Sequence, residues 1–133
     1  MDEWQGIYKH FTVQEMHCRG FLKGKCSCGG KLPRHSFMLK LEQLREMCGF
    51  VLKVSSGFRC PQYNMRVSES GADGPHTTGL AVDLDVRGTQ AYLVLKYALE
   101  LGFTGIGVSQ SGKDRFLHLD MVTGEPRPNI WNY

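Results

Sequence analysis

Two short segments of the chain alternate apolar and polar side chains, AVDLD at 81–85 and FLHLD at 116–120. Because successive side chains of a β-strand point to opposite faces, each segment predicts a strand with one apolar face and one polar face. Each apolar face suits the core. If the two strands lie in one sheet with these faces aligned, Asp83 and His118 project from the same polar surface.

The rest of the chain predicts an α+β fold, with an antiparallel β-sheet packed against helices. The short turn between the last two predicted strands favours antiparallel pairing. The chain has 133 residues, without an evident repeat or linker, and residues 1–133 are expected to form a single domain. The predicted elements are helices at 11–17, 36–48, 61–70 and 90–101, and strands at 50–55, 80–86, 103–108 and 115–122.

Charge and hydropathy narrow the functional classes. The formal net charge is +3, which favours anionic surroundings such as a cell wall but is too weak to indicate nucleic-acid binding. No apolar run reaches the roughly 18 residues of a membrane span. The first residues, MDEWQGIYKHF, show neither the basic nor the apolar region of a secretory signal. We expect a monomer that is made in the cytoplasm.

A third polar residue, His76, lies seven positions before Asp83, with Gly79 between them. Glycine permits a bend that folds a loop ligand back over a strand. Two imidazoles and one carboxylate suit Zn²⁺, and a catalytic zinc commonly has three protein ligands and one open position. The alternative is that each residue is structural, with Asp83 and Asp85 forming a solvated face.

Three motifs resemble the zinc D-Ala-D-Ala carboxypeptidase family, which shares its fold with the hedgehog signalling domain: SGFRCPQYN at 56–64, HTTGLAVDLD at 76–85 and FLHLD at 116–120. The similarity is greatest to small peptidoglycan peptidases of bacteria and their phages, and runs from HFTVQE to RPNIW. It implies zinc bound by His76, Asp83 and His118.

The resemblance also implies that Arg59 holds the substrate. A guanidinium pairs with a carboxylate or an oxyanion through two parallel hydrogen bonds. The alternative for Arg59 is a surface salt bridge.

The general base is the point at which the chain departs from its relatives. Many of them carry an acid or a histidine two or three residues before the last zinc ligand, where this chain has Phe116 and Arg115. Asp120, two residues after His118 on the same strand face, is the favoured base, and Asp114 is the second choice. The alternative for Asp120 is a partner that fixes a histidine ligand.

Five cysteines are present, and three of them, Cys18, Cys26 and Cys28, lie in one glycine-rich loop. Their spacing is not a standard zinc pattern. Free thiols are the favoured state, and the alternatives are a structural metal site that also uses Cys60, or a disulfide. Cys48 is expected in the core.

The sequence therefore predicts a zinc peptidase that hydrolyses an amide bond in the peptide stem of peptidoglycan. The bond is D-Ala-D-Ala or another stem bond, and both carboxypeptidase and endopeptidase activity stay open. Such a protein would act on the wall after release from the cell, or as a phage lysis or virion protein. The alternatives are a non-catalytic binding module of the same fold, and a zinc-bearing interaction protein built on the cysteine loop.

Overall fold

The structure, a computed structural model, describes residues 3–5 and 7–133. Five strands form one sheet in the order β1-β2-β4-β3-β5. Neighbouring strands are antiparallel except β3 and β5, which are parallel. The strands are β1 (Lys53–Ser56), β2 (Ala81–Asp85), β3 (Gly105–Ser109), β4 (Phe116–Asp120) and β5 (Asn129–Asn132).

In the part of the chain that the structure describes, four α-helices accompany the sheet, which confirms the α+β class. They are α1 (Val13–Met16), α2 (His35–Cys48), α3 (Pro61–Val67) and α4 (Gly88–Glu100). Two 3₁₀ helices, Gly71–Asp73 and Pro75–Thr78, lie between α3 and β2. Within the described residues, no helix is both long enough and apolar enough to cross a membrane.

One face of the sheet supplies the hydrophobic core. The inward-facing apolar side chains of β2 and β4 are buried there, in one cluster with the inward-facing side chains of α2 and α4. Phe37 of α2 meets Phe103 edge to face, with ring centroids 6.0 Å apart. α2 and α4 therefore cover the apolar face, and the polar face carries the candidate site.

Local signals in the sequence account for several boundaries. Thr12 and Glu15 form the expected capping box at the start of α1. Pro61 begins α3 at the first helical position, as predicted. Gly49 ends α2 with a φ of 72°, and Gly79 ends the second 3₁₀ helix with a φ of 78°.

Three details differ from the sequence prediction. β1 spans Lys53–Ser56 rather than 50–55, because this edge strand pairs only with β2, starting opposite Asp85. Helical spacing in α4 predicts Leu99 on the buried face, but Leu99 is exposed and Val94 is buried instead. β5 was not predicted: it is a short edge strand directly after Pro128, without an alternating pattern.

Candidate metal centre

The register of the sheet brings the predicted ligands together. Asp83 of β2 lies directly opposite His118 of β4. His76 reaches them from the second 3₁₀ helix, and its Nε2 is 3.1 Å from Oδ1 of Asp83. Nδ1 of His118 is 3.0 Å from the same oxygen. Potential donor atoms of the three residues lie within 4.8 Å of one another, so a single cation has three donors within reach.

Hydrogen bonds behind the two imidazoles determine which nitrogen faces Asp83. His76 Nδ1 is 2.8 Å from the carbonyl oxygen of Gly57, which can only accept, so Nδ1 carries the proton. His118 Nε2 is 2.7 Å from Oδ2 of Asp120 and donates to it. The opposite nitrogens therefore present lone pairs toward Asp83 when each ring is neutral, as metal ligation requires.

The electrostatics of the site favour a positive charge between these residues. Burial alone would raise the pKa of Asp83, but hydrogen bonds from His118 and His76 hold it far below its usual value. Burial alone would lower the pKa of His118, but Asp120 and Asp83 raise it. A cation bound at the imidazole lone pairs replaces the protons that these carboxylates otherwise attract.

The three residues fit a catalytic rather than a closed structural zinc site. Their donor set is two imidazoles and one carboxylate, and they line a cleft of about 520 Å³ that opens to solvent. Three protein ligands beside an open cleft leave room for water or substrate. The aromatic side chains of the cleft wall are Phe116, Trp131 and Tyr133.

Arg59 lies beside the candidate ligands rather than on the open surface. Its guanidinium donates to Ser56 Oγ and Asn64 Oδ1, each at 2.9 Å. Nη2 also lies 3.2 Å from Oδ2 of Asp83, and only 15% of the Arg59 side chain is exposed. The surface salt-bridge alternative therefore does not describe Arg59, which holds the second oxygen of Asp83 and borders the cleft.

Gly57 explains how the segment before Arg59 reaches His76. A Cβ atom at this position would lie 2.4 Å from the carbonyl oxygen of Met16, so only glycine fits against the end of α1. The backbone of Arg59 also donates to the carbonyl of His76, at 3.1 Å. The loop thus supports His76 from two sides.

The structure places Asp120 behind His118, away from the cleft. Its carboxylate is fully buried and pairs with both Nε and Nη2 of Arg127, at 3.0 and 2.8 Å. Burial would raise the pKa of Asp120, but His118 and Arg127 bring it down to about 2. A buried, paired carboxylate of low pKa is a poor proton acceptor at neutral pH, which favours its alternative role as the partner that fixes His118.

Asp114 is not brought to the candidate centre. It is exposed in the turn between β3 and β4 and lines a different depression, together with Lys53, Asp85 and Arg87. Of the described residues that line the cleft, only Asp83 carries a carboxylate. The structure therefore does not support either predicted acid as a group that faces a metal-bound water.

Two residues at the site were missed by the sequence reasoning. Trp131 of β5 lies against His118, with ring centroids 5.3 Å apart, and Arg127 stacks on Trp131 at 4.9 Å. Both residues lie in RPNIW at 127–131, the last segment of the resemblance. An arginine and a tryptophan close to FLHLD could have indicated this contact, because the two side chains often stack on each other.

Glycines on β3 make room for these contacts. Gly105 faces Asp120 across the ladder, and Gly107 faces His118. A Cβ atom at Gly105 would lie 2.2 Å from Oδ1 of Asp120, and one at Gly107 would lie 2.7 Å from Nε1 of Trp131. The absence of side chains at both positions lets Asp120 and Trp131 pack against the sheet.

The fold and the site define an α+β protein with a His–Asp–His centre in an open cleft. The profile of the family Peptidase M15 matches residues 9–120, which include all three candidate ligands. The chain belongs to this family, the zinc D-Ala-D-Ala carboxypeptidases, as its motifs predicted. No match was found among curated proteins.

Proposed function

We propose that the chain is a zinc-dependent peptidase that hydrolyses an amide bond in the peptide stem of peptidoglycan. One observation carries the proposal: His76, Asp83 and His118 converge beside an open cleft, with both imidazole lone pairs directed toward Asp83. Membership of Peptidase M15 supports the same class of enzyme.

His76, Asp83 and His118 would hold the ion. When bound, zinc acidifies its water and polarises the carbonyl of the scissile amide. Asp120 and Gly57 keep each imidazole in the tautomer that ligates. Arg59 holds one oxygen of Asp83, which leaves the other oxygen for the ion.

The cleft has the chemistry to hold a peptide with carboxylate groups. Arg59 and Arg127 both line it, and a guanidinium has five N–H donors, of which Arg59 directs three to Ser56, Asn64 and Asp83. Its other donors are available to a substrate carboxylate or to an oxyanion. Apolar rings of Phe116, Trp131 and Tyr133 suit the small methyl side chains of alanine residues. These groups support a stem peptide as substrate.

A second candidate function is a non-catalytic module that binds wall peptides through the same cleft. The observation in its favour is the position of the two predicted bases, since Asp120 is buried behind His118 and Asp114 lines another depression. Binding through zinc and Arg59 needs no proton acceptor, whereas efficient hydrolysis ordinarily uses one.

Digestion of purified peptidoglycan separates the two functions. Zinc-loaded protein is incubated with the wall polymer, and the released material is identified by mass spectrometry. Loss of a terminal D-Ala indicates a carboxypeptidase, and fragments cut within the stem or its cross-links indicate an endopeptidase. His118→Ala is the matched control and should release nothing.

Intact peptidoglycan after incubation with correctly folded, zinc-loaded protein would contradict the enzymatic proposal. A pull-down with insoluble peptidoglycan on the same sample then tests the binding module. The mild positive charge of the chain supports the cell wall as its site of action. We further propose that the protein is a monomer, and that it acts after release from its host or as a phage protein.

A further inference from the structure

A second group of metal-binding side chains lies apart from the histidine centre. Cys18, Cys26, Cys28 and Cys60 place their sulfur atoms within 4.8 Å of one another. Sγ of Cys26 is 3.9 Å from that of Cys18 and 3.6 Å from that of Cys28. Three members come from the glycine-rich loop, and the fourth is the N-cap residue of α3.

These distances match a tetrahedral thiolate site. Zinc–sulfur bonds of about 2.3 Å in a tetrahedron put neighbouring sulfurs roughly 3.8 Å apart. Cys18 and Cys60 are buried, and Cys26 and Cys28 are partly buried. A closed set of four cysteines without an open position is typical of structural rather than catalytic zinc.

Backbone N–H groups surround the four sulfurs and donate hydrogen bonds to them. The N–H of Cys60 donates to Cys18, and that of Tyr63 donates to Cys60. Cys28 accepts from Gly30 and Lys31, and Cys26 accepts from Cys28. Every sulfur thus accepts at least one backbone hydrogen bond, the kind of contact from neighbouring groups that orients metal ligands.

The loop is shaped to deliver those hydrogen bonds. Gly29 and Gly30 follow Cys28 directly, with φ values of 76° and 83°, which only glycine adopts readily. This turn brings two N–H groups back to the sulfur of Cys28. Three lysines of the loop, Lys23, Lys25 and Lys31, supply positive charge near a centre that four thiolates and one Zn²⁺ would leave at net −2.

We propose that Cys18, Cys26, Cys28 and Cys60 bind a structural zinc ion that fastens the glycine-rich loop to the start of α3. The ion replaces four thiol protons and links chain positions that are far apart in sequence. Cys60 directly follows Arg59, so the bound ion also fixes the backbone from which Arg59 reaches Asp83. This site is separate from the zinc of the proposed peptidase activity.

Metal content tests the proposal without reference to activity. Protein purified under reducing conditions, loaded with zinc and desalted, should hold two zinc ions per chain. His118→Ala should hold one, and Cys60→Ser should lose the other. Cys48→Ser is the matched control, because Cys48 lies on α2 outside the cluster, and it should retain both ions.

Cobalt substitution keeps the test valid if Cys60→Ser fails to fold. Co²⁺ bound by thiolates gives an intense sulfur-to-metal charge-transfer band, whereas Co²⁺ bound only by imidazole and carboxylate does not. The His118→Ala protein should show this band in full. A His118→Ala protein that binds no metal, lacks the band, or contains a disulfide by intact mass after reducing purification would overturn the proposal.

Discussion

Two hydrogen bonds decide which nitrogen each candidate histidine turns toward Asp83. The carbonyl of Gly57 holds one ring and the carboxylate of Asp120 holds the other. Asp120 is itself held by Arg127 through two hydrogen bonds. The orientation of His118 therefore depends on an ion pair whose carboxylate is buried behind the ring and whose arginine borders the cleft.

The substitution Asp120→Asn tests this dependence. The amide preserves size but weakens the bond to His118 and the pair with Arg127, so zinc affinity should fall about 10- to 100-fold, as for other partners of metal ligands. At saturating zinc the rate of hydrolysis should stay within a few-fold of the unchanged protein. Zinc titration and peptidase rate are measured on the same sample.

A different result would restore Asp120 as the base. In that case zinc binding persists unchanged and the rate falls about 10²- to 10⁴-fold, the usual size of a general acid–base contribution. Asp114→Asn serves as the surface control and should change neither quantity.

The substitution Arg59→Lys tests whether Arg59 binds the substrate in addition to holding Asp83. Lysine keeps the positive charge beside Asp83 but loses the planar fork, so zinc should stay bound. The value of kcat/KM should fall about 10-fold or more, the effect of one lost charge-assisted hydrogen bond. Unchanged kinetics would remove Arg59 from substrate binding and leave it only the role of holding Asp83.

Single residues also show what the sequence could predict. The alternation in AVDLD and FLHLD placed Asp83 and His118 on one face because strand geometry has a fixed period. The environment of Asp120 could not be predicted, since its partner Arg127 follows a turn and precedes an unpredicted strand. Burial and pairing, not position along β4, decide what that carboxylate can do.

At the scale of the elements, β3 supports the site without contributing a side chain to it. Gly105 and Gly107 occupy the rungs beside Asp120 and His118. On the other side, β5 brings Trp131 against His118. The hydrogen bonds between β4, β3 and β5 therefore fix the distance between His118 and the aromatic wall of the cleft.

Gly105→Ala should disturb the histidine centre indirectly, through Asp120. The added methyl group would lie 2.2 Å from Oδ1 of Asp120, so the carboxylate must move. We expect a loss of about 1–3 kcal/mol in the free energy of unfolding, as for other overpacked sites, and weaker zinc binding. Chemical denaturation and zinc titration measure the two effects.

Ser109→Ala, on the same strand, is the control for that substitution and should leave both quantities nearly unchanged. Full zinc affinity in Gly105→Ala would show that the position of Asp120 is not critical for His118.

The cysteine cluster shows what residue spacing in the sequence cannot predict. Its fourth member, Cys60, belongs to another element, and only the fold brings it to the loop.

At the scale of the whole molecule, each candidate centre attaches a segment that lies outside the main core. The segment is the second 3₁₀ helix, with His76, at one centre and the glycine-rich loop at the other. The hydrophobic core lies on the helix-covered face of the sheet. The polar face relies on hydrogen bonds, ion pairs, a small second cluster of buried side chains around Cys18, Cys60 and Tyr63, and the proposed ions. Metal binding should therefore contribute a large share of the stability of this face.

Removal of metal should lower the melting temperature. An ion present at 100 times its dissociation constant stabilises the folded state by about 2.7 kcal/mol, which for a chain of this size corresponds to roughly 10 °C. Calorimetry of chelator-treated protein, with zinc restored afterwards, measures the change. Magnesium is the control and should restore nothing, because it prefers oxygen ligands. Equal melting temperatures with and without zinc would show that neither centre supports the fold.

The proposed peptidase activity depends on a zinc ion held by His76, Asp83 and His118. Anomalous diffraction at the zinc edge, on crystals of the zinc-loaded protein, tests that claim most directly. We expect a peak about 2.0–2.2 Å from Nε2 of His76, Nδ1 of His118 and a carboxylate oxygen of Asp83. A crystal that shows no zinc at this point, with the three side chains turned away from one another, would contradict it.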